Sequence, residues 1–164
     1  MPDKQDICFN TDDGQRFRYR AVALIIEDGC VLMATNAAAG YYYTIGGGVH
    51  LGETAEQCAV REAYEETGVH YEVDRLAFVY ENFFTDRSPT TIQGLHCHEI
   101  SLIFLMKPRG TKELPKHSST CVDGEERVAW LPIAEFGKYK AFPEFFATEL
   151  PALSDGIKHI VSIG

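Results

Sequence analysis

Between Gly46 and Val69 the chain reads GGGVHLGETAEQCAVREAYEETGV, and its last third crowds Glu62, Glu65 and Glu66 beside Arg61. On a helix of roughly 100° per residue, positions i, i+3 and i+4 share a face, so the three carboxylates fall within about 100° of one another. Ala59, Val60, Ala63 and Thr67 centre on the opposite side, a small-residue surface suited to packing on a sheet. Ala55 and Cys58 fall on the side of the acids and are expected to leave space there for a ligand. Like charges at this spacing repel by a few tenths of a kcal/mol per pair, so the row of acids calls for a cation. Hard divalent ions such as Mg²⁺ or Mn²⁺ take oxygen ligands, and Mg²⁺ is usually held by one or two carboxylates together with substrate phosphates.

The residues upstream suggest where a phosphate would go. Gly46, Gly47 and Gly48 follow a β-like run, Tyr41–Ile45, and are expected to form a loop that lets a substrate approach the backbone closely. Gly52-Glu53-Thr54 leads into the helix with Glu53 near its positive end, and Gly68 is placed to terminate it. Arg61 is spaced to reach Glu65 at i+4 and Glu53 across the loop, which would hold the carboxylates in fixed positions.

The spacing Gly47-x5-Glu53-x7-Arg61-Glu62-Ala63-x-Glu65-Glu66-x-Gly68-Val69 resembles the complete signature of the Nudix hydrolase family, MutT-like proteins included. A chance match at so many constrained positions is remote, where a lone glycine-rich loop would say little. The resemblance implies an enzyme that hydrolyses a nucleoside diphosphate linked to another moiety, by attack of metal-assisted water on phosphorus. Candidate substrates are a nucleoside triphosphate, an ADP-sugar, a dinucleoside polyphosphate or a capped RNA end. By motif matching, Glu65 and Glu66 are metal-ligand candidates with the Gly46 carbonyl, and Glu62 is either a ligand or the base that takes the proton from water. Arg61 and Glu53 take supporting roles at the catalytic centre, and Gly46, Gly47 and Gly48 a substrate-binding one. The implied cofactor is Mg²⁺, with Mn²⁺ as an alternative. Family members use a further glutamate at a variable position, for which Glu99, Glu125 and Glu126 are the candidates. The competing class is a Nudix-fold module that senses a nucleotide ligand without turnover; the intact acids argue against it.

The whole chain bounds these readings. Its 164 residues and 45% hydrophobic content suit one globular domain, read here as an N-terminal extension over 1–16 and a domain over 17–164. A formal charge of −9 argues against a nucleic-acid backbone binder and leaves a small nucleotide diphosphate as the partner, with a homodimer left open. No apolar run is long enough to span a membrane, and the polar start lacks the core of a signal peptide. Five cysteines with no C-x-x-C pair read as reduced thiols in a cytoplasmic protein.

Along the chain, Phe17–Glu27 and Cys97–Met106 read as buried strands, with a hairpin turn at Asp28-Gly29 leading to a partner strand at Cys30–Ala34. Strand is also expected at Tyr71–Val73, Leu76–Phe84, Arg127–Trp130 and Ile157–Ile163. Pro132 should open a helix, and Pro143–Leu150 a further short one. Lys107–Gly124 is a long loop, locally basic at Lys107, Arg109, Lys112 and Lys116, and a candidate lid. Phe83, Phe84 and Tyr41–Tyr43 are candidates to stack on a base. His96 and His98 share a strand face, but no second Cys/His cluster completes a zinc site. Mixed strands and helices give an α+β class. The resemblance sharpens this to a Nudix fold, an α/β/α sandwich with a mixed β-sheet between helices.

Overall fold

The computed structural model describes residues 5–87, 93–115, 120–121 and 124–164, with residues 120–121 and 124–125 by backbone alone. Strand β1 (Cys8–Asn10) pairs with β2 (Gln15–Leu24), and β3 (Ile26–Glu27) turns through Asp28-Gly29 into β4 (Cys30–Thr35). Asp28 has φ 47° and Gly29 φ 71°, the two positive values that a tight hairpin of this hand requires. Then come β5 (Tyr42–Tyr43), β6 (Ile45–Gly48), helix α1 (Ala55–Thr67), β7 (Val73–Thr85) and β8 (His96–Met106). The remainder is β9 (Thr120–Cys121), β10 (Gly124–Glu125), β11 (Arg127–Pro132), a 3₁₀ turn (Ile133–Lys138), α2 (Phe146–Glu149), a second 3₁₀ turn (Leu150–Ala152) and β12 (Lys158–Ile163).

The main sheet runs β1-β2-β8-β7-β12, with β6 continuing beside β2 where β1 leaves off. β2 and β8 are parallel, as are β7 and β12, while β7 and β8 are antiparallel, so the sheet is mixed. A second sheet, β11-β4-β3 with β5 on β4, is antiparallel throughout. The expected class holds: helices lie on both sides of the strands.

Alternation along the strands explains the layering. Ala21, Ala23 and Ile25, with Leu32 and Ala34, point into a core shared with Ala55, Cys58, Ala59 and Ala63 of α1. Val22, Leu24, Val31 and Met33 point the other way, against Phe136, Phe146 and Leu150. Both faces are covered, which is why Phe17–Glu27 reads as apolar alternation merging into a continuous run. No helix among the described residues is long and apolar enough to cross a membrane.

Four local expectations are corrected. Tyr41–Ile45 is not one strand: Tyr42–Tyr43 pair with β4 and Ile45–Gly48 with β2, so the chain changes sheets at Thr44. Gly46–Gly48 form strand rather than loop, and none of them has positive φ. Ala55 and Cys58 leave no room for a ligand; both are buried against the sheet. Part of the N-terminal extension, Cys8–Asn10, is an edge strand of the main sheet.

Helix α1 starts on a capping box. The Thr54 hydroxyl accepts from the Gln57 N–H, and the Gln57 side chain accepts from the Thr54 N–H. It ends at Gly68, whose φ of 75° lets its N–H donate to the Tyr64 carbonyl. Thr54→Ala is expected to lower stability by about 1 kcal/mol, seen as a fall in melting temperature of about 3 °C.

Candidate active site

The capped helix and strand β6 bring the expected residues together. Arg61 is the hub. Its Nε donates to Glu53 Oε2 at 2.8 Å and its Nη2 to Glu53 Oε1 at 3.0 Å, a two-point pairing. Its Nη1 donates to Glu62 Oε1 at 3.0 Å and Glu65 Oε1 at 3.3 Å, and Nη2 also reaches the Gly48 carbonyl at 3.3 Å. Both acid contacts expected of Arg61 are therefore present. Glu53 is half-buried with its side chain only 7% exposed, accepts the His50 N–H at 3.1 Å, and its carboxyl is held down to about 2, chiefly by the hydrogen bonds from Arg61.

Each glycine of β6 lets a different neighbour come close. A methyl group on Gly47 would collide with the Glu62 carboxylate, and one on Gly46 with the Ala21 carbonyl. On the other face of β6, a methyl on Gly48 would strike the Asp6 carboxylate. Cys58 takes part in the same packing: its Sγ lies 3.4 Å from the Gly48 carbonyl, and burial pushes its thiol up to about 12. It serves as a neutral donor to the backbone.

Glu62 and Glu66 face inward, whereas Glu65 is 52% exposed. Burial raises the Glu62 carboxyl, with Glu65 adding to the effect. Glu66 is the extreme case. Burial, then the negative charges of Glu126 and Glu62, push its carboxyl up to about 9. Its Oε2 is buried with no hydrogen-bond partner, and Glu126 lies close enough to share its proton. Glu126 in turn accepts from the Tyr43 hydroxyl at 3.1 Å. Among the described residues no three acids, histidines or cysteines converge as a formed metal cage, and Glu62 and Glu65 lean on Arg61. The donor set nonetheless fits a hard divalent ion: carboxylate oxygens only, one buried and unpartnered, in a region with excess negative charge.

Of the further acids, Glu126 is beside Glu66, while Glu99 lies 4.0 Å from Arg20 on the floor of a separate cleft. The side chain of Glu125 lies outside the described residues, as does Lys116. The cleft, of about 910 Å³, is floored by Arg20, Ser101 and Asn82 and walled by Tyr41, Tyr43 and Phe142. Tyr41 meets Phe142 edge-on at 5.5 Å. Of the other stacking candidates, Phe84 lines the cleft, but Phe83 stacks on His98 on the opposite face of the sheet and Tyr42 packs against Tyr139. Arg20 was not singled out in the sequence. It joins the two regions, lining the cleft while its charge is felt by both Glu62 and Glu66, and its buried Nε has no partner. The one available signal is three arginines, Arg16, Arg18 and Arg20, at alternate positions of the strand. The described part of the basic loop is tied down elsewhere. Glu27 accepts from the Arg109 and Gly110 N–H groups, Arg109 lies over Tyr71, and the Trp130 indole donates to the Lys112 carbonyl.

A model of the NUDIX domain matches residues 16–151. The chain belongs to the NUDIX family. A "MutT-like protein" from Streptomyces ambofaciens is 32% identical over 153 residues, covering 88% of this chain and 86% of that protein. Among solved structures, a MutT NUDIX hydrolase from Burkholderia pseudomallei is similar at a TM-score of 0.52 and 22% identity, covering 71% of this chain and 84% of its own. The mutator MutT protein from Bacillus halodurans is similar at a TM-score of 0.65 and 15% identity, covering 89% and 90%. The protein is a NUDIX pyrophosphohydrolase, from a family of divalent-metal enzymes that act on nucleoside diphosphate derivatives.

Two outcomes follow, the first for the metal-free protein. The unfolded chain releases the Glu66 proton in the ordinary carboxylate range, the folded chain only near pH 9. Between those values the folded state holds the extra proton and loses stability as pH rises. Glu66→Gln should therefore be more stable than the parent at neutral and higher pH, the gap closing below the ordinary carboxylate range, as read by urea denaturation. Gly47→Ala should displace Glu62 and lower turnover by about tenfold or more, with α1 still formed by circular dichroism.

Proposed function

We propose that this NUDIX enzyme hydrolyses a nucleoside diphosphate linked to another moiety, with Mg²⁺ as its ion and Mn²⁺ as a substitute. The observation that carries the reading is the buried, unpartnered Glu66 oxygen in an acid-rich pocket next to a nucleotide-sized cleft. Glu65 and Glu66 would hold the metal with the Gly46 carbonyl. When bound, the ion supplies charge neutralisation on the phosphate oxygens and acidifies the attacking water.

The protein's own groups divide the remaining work. Glu62 is a second inward acid whose carboxyl is raised by burial, the property a proton acceptor needs near neutrality and one that also suits a ligand. Glu126 is the favoured extra acid, since it faces Glu66 where Glu99 faces Arg20. Arg20 would meet the phosphate nearest the cleft, and Tyr41 and Phe142 would pack on the organic moiety. Gly47 would act on substrate indirectly, by leaving room for Glu62 against β6, while Gly46 and Gly48 leave room for the Ala21 carbonyl and for Asp6.

The test is product release from a panel of nucleoside triphosphates, nucleotide sugars, dinucleoside polyphosphates and capped RNA, with Mg²⁺ and with chelator. Turnover should require the metal and fall by at least about a hundredfold in Glu65→Gln and Glu66→Gln. Turnover that survives both substitutions would sink the assignment of these acids.

A further inference from the structure

The residues before the matched family region contact the turn that leads into the acidic helix. The Gln5 carbonyl accepts from the Leu51 N–H at 2.9 Å, and the Ile7 N–H donates to the Val49 carbonyl at 2.8 Å. The Ile7 carbonyl in turn accepts from Tyr19 on β2 at 3.0 Å. These bonds strap residues 5–7 across the turn between β6 and α1. Asp6 pairs with His50 in this strap, and its carboxylate fills the space above Gly48. Asp6 Oδ1 lies 3.2 Å from His50 Nε2, and His50 Nδ1 lies 3.9 Å from Glu53 Oε1. The His50 N–H donates to the same Glu53 oxygen at 3.1 Å. Glu53 then grips Arg61, and Arg61 grips Glu62 and Glu65.

We propose that Asp6 is a positioning residue for the acids of the helix, acting through His50, Glu53 and Arg61. It touches neither the cleft nor the acids. Its part is to fix the imidazole and the turn that present Glu53 to the guanidinium. Supporting groups of this kind orient the residues that do the chemistry, and their loss typically costs about 10–100-fold in metal affinity or activity. Asp6 precedes the region that matches the NUDIX domain, residues 16–151, so the dependence would be particular to chains that carry such a strap. The effect on rate rests on the proposal above that these acids perform the reaction.

The experiment compares full-length Asp6→Asn, Asp6→Ala, His50→Ala and the Asp6→Ala/His50→Ala double variant. Two readouts are taken: steady-state kinetics, and exchange of the Arg61 Nε–H with solvent by NMR. Loss of the strap should lower kcat by about tenfold in Asp6→Ala while leaving KM within about twofold, and Arg61 exchange should speed up. The double variant should be no worse than His50→Ala alone, because residues in one chain of contacts are non-additive. Asp6→Asn keeps the shape and guards against misfolding; it should shift both readouts in the same direction. Asp6→Asn and Asp6→Ala proteins that match the parent in both, or losses that add in the double variant, would overturn the proposal. Faster Arg61 exchange in a protein without turnover would keep the chain of contacts and overturn only the catalytic reading.

Discussion

The arrangement of the helix acids depends on one guanidinium. Arg61 uses Nε and Nη2 on Glu53 and turns Nη1 to both Glu62 and Glu65, with the Gly48 carbonyl as a further acceptor. A planar fork with fixed donor directions can do this, whereas an ammonium on a flexible stem would offer a point charge and lose the two-sided grip. The attraction is shared among several acids, and Glu53 takes the best of it, as its depressed carboxyl shows. No hydrogen bond from Arg61 goes to Glu66. The same cation that fixes two acids thus leaves a third in a buried, negative pocket, where it must hold a proton or meet another positive charge.

That outcome requires the helix to lie close to the sheet. Gly47 of β6 removes the side chain that would otherwise meet Glu62 of α1, and on α1 the facing residues are Ala55, Cys58, Ala59 and Ala63. Small residues on both partners let the carboxylate of Glu62 sit against the backbone of Gly47. Packing and chemistry are therefore one constraint here. A methyl group added at Gly47 pushes on a charged oxygen rather than on a yielding apolar neighbour.

What was legible in the sequence is what local rules determine. The acid row and the ends of α1 follow from helical spacing and from Thr54 and Gly68, and the β3–β4 turn follows from Asp28-Gly29. The buried strands follow from their apolar runs. The misplaced features are those decided at long range. Gly46–Gly48 carry no periodicity, and only the pairing with Val22 and its neighbours makes them strand. A helical wheel separates acids from small residues but does not say how wide an arc the sheet covers, so it places Ala55 and Cys58 on the open side. Arg20, Phe142 and Asp6 entered through β2, a loop after the first 3₁₀ turn and the N-terminal strap, all distant in sequence from the acids they accompany or flank.

Charge is segregated in a way that a net value of −9 conceals. Arg18 and Arg20 sit together on β2, where burial and mutual repulsion lower the Arg18 guanidinium. Glu99 is 4.0 Å from Arg20, a loose pairing, and the Arg20 Nε stays unpaired. A polyanion entering the cleft would relieve that repulsion on one side, while its far end approached the acids and required a divalent ion between them. On the proposed reading an acidic protein holds a diphosphate in this way: the cation-rich side would select the phosphate, and the anion-rich side would make its binding conditional on metal.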